Sequence, residues 1–148
     1  MRQTALLLVP LTMLLTASSF GCAFGEIRPK DPLDRQYTLE AAHKNYTDLV
    51  RWSKFEEAAG FMDSESRTAF LSAMPDFNEV RFTDWKAKPW ELDEELRETT
   101  IEVTYKGYSM RSPIEVAVQE SQHWSRSGRS NDWNVSSSFE GLDQWTNH

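Results

Sequence analysis

Three side chains in the second half of the chain, Asp84, Glu120 and His123, have the type and placement that acid–base chemistry requires. Asp84 shares an alternation with Val80 and Phe82, so a strand here groups it with apolar neighbours. A carboxylate on a buried face has its pKa raised and gains the character of a base. The other reading makes Asp84 the end of that strand's buried portion. Glu120 continues the face of Ile114, Val116 and Val118, either as an inward carboxylate or just beyond the core's edge. His123 precedes Trp124 at the end of the same segment, where it either enters a cavity or caps a strand edge. His43, beside Ala42 and Tyr46, reads as a hydrogen-bonded core histidine, and His148 is the chain terminus.

The remaining chemistry is sparse. Catalysis through a nucleophile needs an activating base with its own orienting partner, and no such motif is visible. Two internal histidines with a single cysteine leave no zinc set. Glu91, Asp93, Glu94, Glu95 and Glu98 crowd together without the spacing of a calcium loop, and read as a solvated connection. No metal, no cofactor and no catalytic role is expected. Among the six tryptophans, Trp85 and Trp124 are the candidates for contact with a ligand or partner, because Trp is enriched where binding energy concentrates. Core packing competes for them and for Trp90 and Trp133, whereas Trp145 stands in a polar tail.

The formal net charge of −7 makes nucleic acid an unfavourable partner, since an acidic domain repels a phosphate backbone. Residues 1–22 combine Arg2, an apolar run from Ala5 to Ala17 and a small-residue end, the three-part pattern of a secretory signal peptide. Pro10 inside the run opposes a buried helix. The end of this leader, Gly21-Cys22, resembles a bacterial lipobox. That resemblance implies lipid on Cys22, a membrane-anchored exported protein, and a partner in the cell envelope. In a Gram-negative host, Ala23 after the cysteine resembles the outer-membrane sorting pattern. Cys22 is the sole cysteine and cannot form an intrachain disulfide, which agrees with lipidation. Cleavage after Ala23, leaving a soluble cysteine-free chain, is the alternative.

Four regions follow. Residues 1–22 form the leader and 23–37, with Gly25, Pro29 and Pro32, a tether. Residues 38–140 form the domain and 141–148 a tail. Leu39, Ala42, His43, Tyr46, Leu49 and Val50 repeat at helical spacing and predict a helix over 39–51 with Thr38 as N-cap. Ser53 and Glu56 form a capping-box signature for a second helix, with Phe55, Ala58, Ala59 and Met62 buried. Asp63 and Ser64 mark a third start and Arg67 to Met74 a short third helix, which Pro75 stops. Alternation then predicts strands from Val80, over 99–108 and 114–124, and from Trp133 to Phe139. Short connections make neighbours antiparallel, giving an α+β layout with the helices on one face of the sheet.

Helices followed by a long four-strand meander, with the stretch YTDLVRWSKFEEAAGF at 46–61, resemble the small bacterial members of the nuclear-transport-factor-2-like superfamily. The resemblance implies a cone-shaped α+β fold with a concave sheet. In that superfamily, isomerases and hydrolases place an acid or base inside the cone, and many members bind or assemble without catalysis. Asp84, Glu120 and His123 are the residues this resemblance would send inward, and fold alone constrains function weakly.

Overall fold

The structure is a computed structural model that describes residues 31, 33–75, 80–109 and 112–142, without the side chain of Pro113. Cys22, the leader, Trp145 and His148 lie outside the described residues. Three helices precede a four-stranded sheet: α1 (Arg35–Arg51), α2 (Phe55–Ala58) with a 3-10 turn at Ala59–Phe61, and α3 (Ser64–Ala73). Then come β1 (Val80–Ala87), β2 (Glu98–Ser109), β3 (Ser112–Arg126) and β4 (Trp133–Glu140). The strands pair in sequence order and every pair is antiparallel, so the α+β meander expected from the alternation is present. No helix among the described residues is long and apolar enough to cross a membrane.

Helix α1 starts at Arg35, so residues 35–37, assigned above to the tether, are helical. Asp34 holds the cap position with φ of 50° and makes no side-chain cap, and the hydroxyl of Thr38 bonds Arg35 O from inside the helix instead of capping it. Its inward face carries Leu39, His43, Tyr46, Thr47 and Val50. Leu49, grouped with that face by its spacing, is only partly buried. The capping box at Ser53 does not form: Ser53 adopts φ of 56°, and Lys54 occupies the cap of α2. At α3 the expectation holds. Asp63 Oδ1 accepts from Glu65 N and Ser66 N, both at 2.9 Å, satisfying two of the donors a helix start leaves unpaired.

The core lies between the helices and one face of the sheet. Tyr46, Tyr105, Trp124, Leu39 and Ile101 are wholly inside it. Complete burial of a side chain such as Leu39 stabilises by about 1.5–3 kcal/mol. A bulge sets the curvature and the exposure of β1. Phe82 pairs Gly107 and Asp84 pairs Lys106, which leaves Thr83 as an extra residue. Strand and partner approach closely there, and a Cβ on Gly107 would stand 2.8 Å from Arg81 O.

Candidate functional site

The bulge decides the fate of Asp84. One inserted residue reverses the alternation, so Trp85 turns to the inner side and Asp84 is exposed. The inward reading of Asp84 is therefore corrected. In β3 the alternation holds from Val118 onward, whereas Ile114, grouped with that face by its spacing, is 69% exposed. Val118, Glu120, Gln122 and Trp124 face the helices with no more than traces of exposure, which leaves His123 outside. His123 is exposed, its Nδ1 3.4 Å from Thr100 Oγ1 and its Nε2 3.9 Å from Glu98 Oε2. It does not enter the interior, which corrects that alternative. Of the three acid–base candidates, only Glu120 is inside.

Glu120 has no exposed surface. Tyr46 donates its hydroxyl to Oε1 at 2.6 Å, and Tyr105 donates to Oε2 at 2.7 Å. Gln122 Nε2 donates to the same Oε2 at 2.6 Å. Ser137 Oγ on β4 lies 3.1 Å from the Tyr46 oxygen. That tyrosine has one proton, already committed to Glu120, so the serine hydroxyl is the donor to it. None of these partners is a cation. Desolvation therefore dominates and raises the Glu120 pKa above its ordinary value, with the donated hydrogen bonds pulling the other way. The same burial, with the carboxylate alongside, raises both tyrosine hydroxyls well above the usual range.

The network has a direction. The Trp124 indole can only donate, and its Nε1 lies 3.0 Å from Gln122 Oε1. The amide oxygen is therefore fixed toward Trp124, and the amide nitrogen toward Glu120 and the Thr47 hydroxyl, 3.2 Å away. His43 Nδ1, 2.9 Å from the same Oε1, must carry a proton to meet it. Around the imidazole stand Trp85, Trp90 and Trp124, with ring centroids 5.6, 6.4 and 6.4 Å away. Burial among these rings lowers the His43 pKa, with the hydrogen bond to Gln122 the largest opposing influence. His43 is the hydrogen-bonded core histidine its setting suggested.

The tryptophans divide between the two readings, with Trp124 and Trp133 in the core. Trp124 has no exposed surface and cannot touch a partner in this arrangement, since it closes the inner network. Trp85 is partly buried, with its Nε1 donating to Asp48 Oδ1 at 2.9 Å. Among the described residues, the tryptophan that faces solvent is Trp52, 61% exposed, with the Arg51 guanidinium 4.7 Å from its ring centre. It borders a shallow groove of about 410 Å³ with Leu49, Lys54 and Phe61. A second groove, about 470 Å³, lies between α3 and β4 and is lined by Ala69, Phe70, Ala73, Ser137, Phe139 and Leu142, among others. Ser137 thus belongs both to this groove and to the hydroxyl path that ends at Glu120.

The acidic stretch is a connection, as its composition implied. Asp93 Oδ1 accepts from the backbone of Arg97 and Glu98, which turns the chain back toward β2 and holds the Asp93 carboxyl below its usual range despite partial burial. Among the described residues no cluster suited to a metal ion occurs. Gln122, Thr47 and Ser137 escaped the reading of the sequence. The alternation that carries Val118 and Glu120 inward also carries Gln122, so that signal was available for it. Comparison of the chain with protein-family models, curated proteins and solved structures finds no match.

Proposed function

We propose that this chain is an exported, non-catalytic binding domain with a nuclear-transport-factor-2-like cone, held at a membrane surface by lipid on Cys22. The observation that carries the binding reading is the closure around Glu120. Glu120 has no exposed surface and is held by three donors on its two oxygens. A general base must reach its substrate's proton directly or through one water. Here tyrosines and an amide occupy that position, and the group serves to align α1, β2, β3 and β4. The helices-then-meander layout supports the cone, and the leader ending in Gly21-Cys22 supports the anchor. Among the described residues, accessible concavities lie against α3 and beside Trp52.

One observation favours a second reading, an acid–base enzyme of the same superfamily. The path Glu120–Tyr46–Ser137 ends in the α3–β4 groove, where a substrate could be met. Complementation of a deletion strain separates the two, scored by whatever defect the deletion produces, with protein abundance measured alongside. In the binding reading Tyr46→Phe, which cuts the path, retains function, and Ala73→Trp, which fills the groove, loses it. Loss with Tyr46→Phe at normal abundance selects the enzyme. The anchor is tested by metabolic labelling with a fatty-acid probe: label on the wild type and none on Cys22→Ser is expected, and equal labelling of both rejects it.

A further inference from the structure

The two edges of the sheet are protected very differently. Edge strands expose unpaired N–H and C=O groups, and proteins guard them with charges, bulges or a covering element. Strand β1 has all three. Arg81, Asp84 and Lys86 stand along it, the bulge at Thr83 bends it, and α1 packs beside it with Arg51 Nε donating to Thr83 O at 2.9 Å. Strand β4 is guarded less: no bulge interrupts it, its one charged residue is Glu140 at its end, and α3 with the 3-10 turn packs against it. Its sequence from Trp133 to Glu140 contains no Lys, Arg or Pro, and its pairing with β3 runs in regular register from Gln119↔Glu140 to Arg126↔Trp133. Among the described residues no backbone bond reaches its outer edge.

The groove between α3 and β4 lies along this less guarded edge. Its α3 wall is made of the small side chains Ala69 and Ala73, both exposed, and its floor of Phe70, Ser137 and Phe139. An extended segment paired with β4 would direct every second side chain to the inner side of the sheet, into a concavity of about 470 Å³. That volume accommodates an aliphatic side chain or two. Asp132 and Glu140 stand at the two ends of the strand, with the Arg126 guanidinium 5.7 Å from the Trp133 ring centre on the β3 side, on a chain whose net charge is −7.

We infer that β4 is a docking edge for an extended segment of another protein, with small aliphatic side chains at alternate positions and basic residues at its ends. The segment adds as a fifth strand. Main-chain hydrogen bonds supply affinity, and the α3–β4 groove selects the inward side chain. A second copy of this chain fits less well: it would bring a second α3 to the same side of the joined edge, and join two acidic domains. This inference rests on the binding reading above and specifies its mode.

The test uses the full chain in detergent micelles and a fluorescein-labelled peptide of alternating valine and threonine with a lysine at each end. A control peptide carries N-methyl groups on alternate amides, which keeps the side chains and removes one side of the ladder. Fluorescence anisotropy should show the parent peptide binding at least about tenfold tighter than the control, the worth of one or two hydrogen bonds. Ala73→Trp should abolish binding, and Ala69→Gln should weaken it. Amide hydrogen exchange should show β4 becoming protected when peptide is added. Equal affinity for both peptides overturns strand addition while leaving groove binding in place. Protection of the β4 edge before peptide is added also overturns it. Sedimentation then assigns that edge to a second copy if the chain is dimeric, and to another part of the same chain if it is a monomer. The complementation result with Ala73→Trp judges the binding reading independently of these outcomes.

Discussion

Strand β3 presents two faces built from similar residue types. Inward stand Glu120, Gln122 and Trp124, and outward Gln119, Ser121 and His123. The outward groups are exposed or half-buried and make separate pairwise contacts, from Ser121 Oγ donating to Glu102 Oε1 at 2.8 Å to the 3.9 Å approach of His123 to Glu98. The inward groups form a closed set in which a carboxylate, an amide and an indole each have one workable orientation. The difference shows that environment assigns the role here. A glutamate one position away would be a solvated surface group, whereas at 120 it is the point to which α1, β2, β3 and β4 all connect.

The largest effect should come from removing that point. Glu120→Ala strands the donors of Tyr46, Tyr105 and Gln122 in a water-free interior and should cost about 3–5 kcal/mol in urea unfolding. A cost below about 1 kcal/mol would mean that water enters and that the closed-interior picture is wrong. Cutting one bond at a time is milder, and Tyr105→Phe should cost about 1–2 kcal/mol.

The second effect is in pH dependence. The Glu120 pKa is raised from 4.5 in the folded protein. Its contribution is therefore complete below that value and is lost as pH rises through the folded pKa. His43 behaves oppositely: its pKa is lowered from 6.5, so its contribution is complete above that value and is lost as pH falls through the folded one. Glu120→Gln removes the first dependence and keeps the second. Measured by tryptophan fluorescence, the stability difference between variant and wild type should move in the variant's favour as pH rises above 4.5. A difference that stays flat up to pH 8 would remove the carboxylate from the account.

The smallest effect belongs to the outer face. Asp84→Asn and His123→Gln should each change stability by less than about 0.5 kcal/mol, because neither side chain is buried or tightly bonded. A larger change in the unfolding midpoint at either site would erase the contrast between the faces.

Much of the fold was legible in the sequence because hydrophobic periodicity is a local property. The face of α1 could be read from Leu39 to Val50, and the alternation of β2 and β3 named Ile101, Val103, Tyr105 and Val118. The inward alternative for Asp84 fails because a bulge depends on the partner strand, here on Gly107, and leaves no mark in the alternation of β1 itself. Ser53 misled for a related reason: the turn from α1 to α2 imposes a left-handed backbone that a capping box cannot use. The site was half legible. Strand parity carries Glu120 and Gln122 inward together, but their bonds to Tyr46 and Thr47 span more than seventy residues of chain, and only tertiary packing reveals them.

The Trp124 indole works as a polarity lock. An amide reads almost the same in either orientation, so a buried glutamine can rest in two near-equivalent states. A ring that donates and never accepts removes one of them. Replacement of Trp124 by a residue able to do both, such as histidine, would give the Gln122 side chain two settings. Its neighbours His43 and Glu120 would then sense two populations, visible as doubled resonances in an NMR spectrum of an otherwise folded domain.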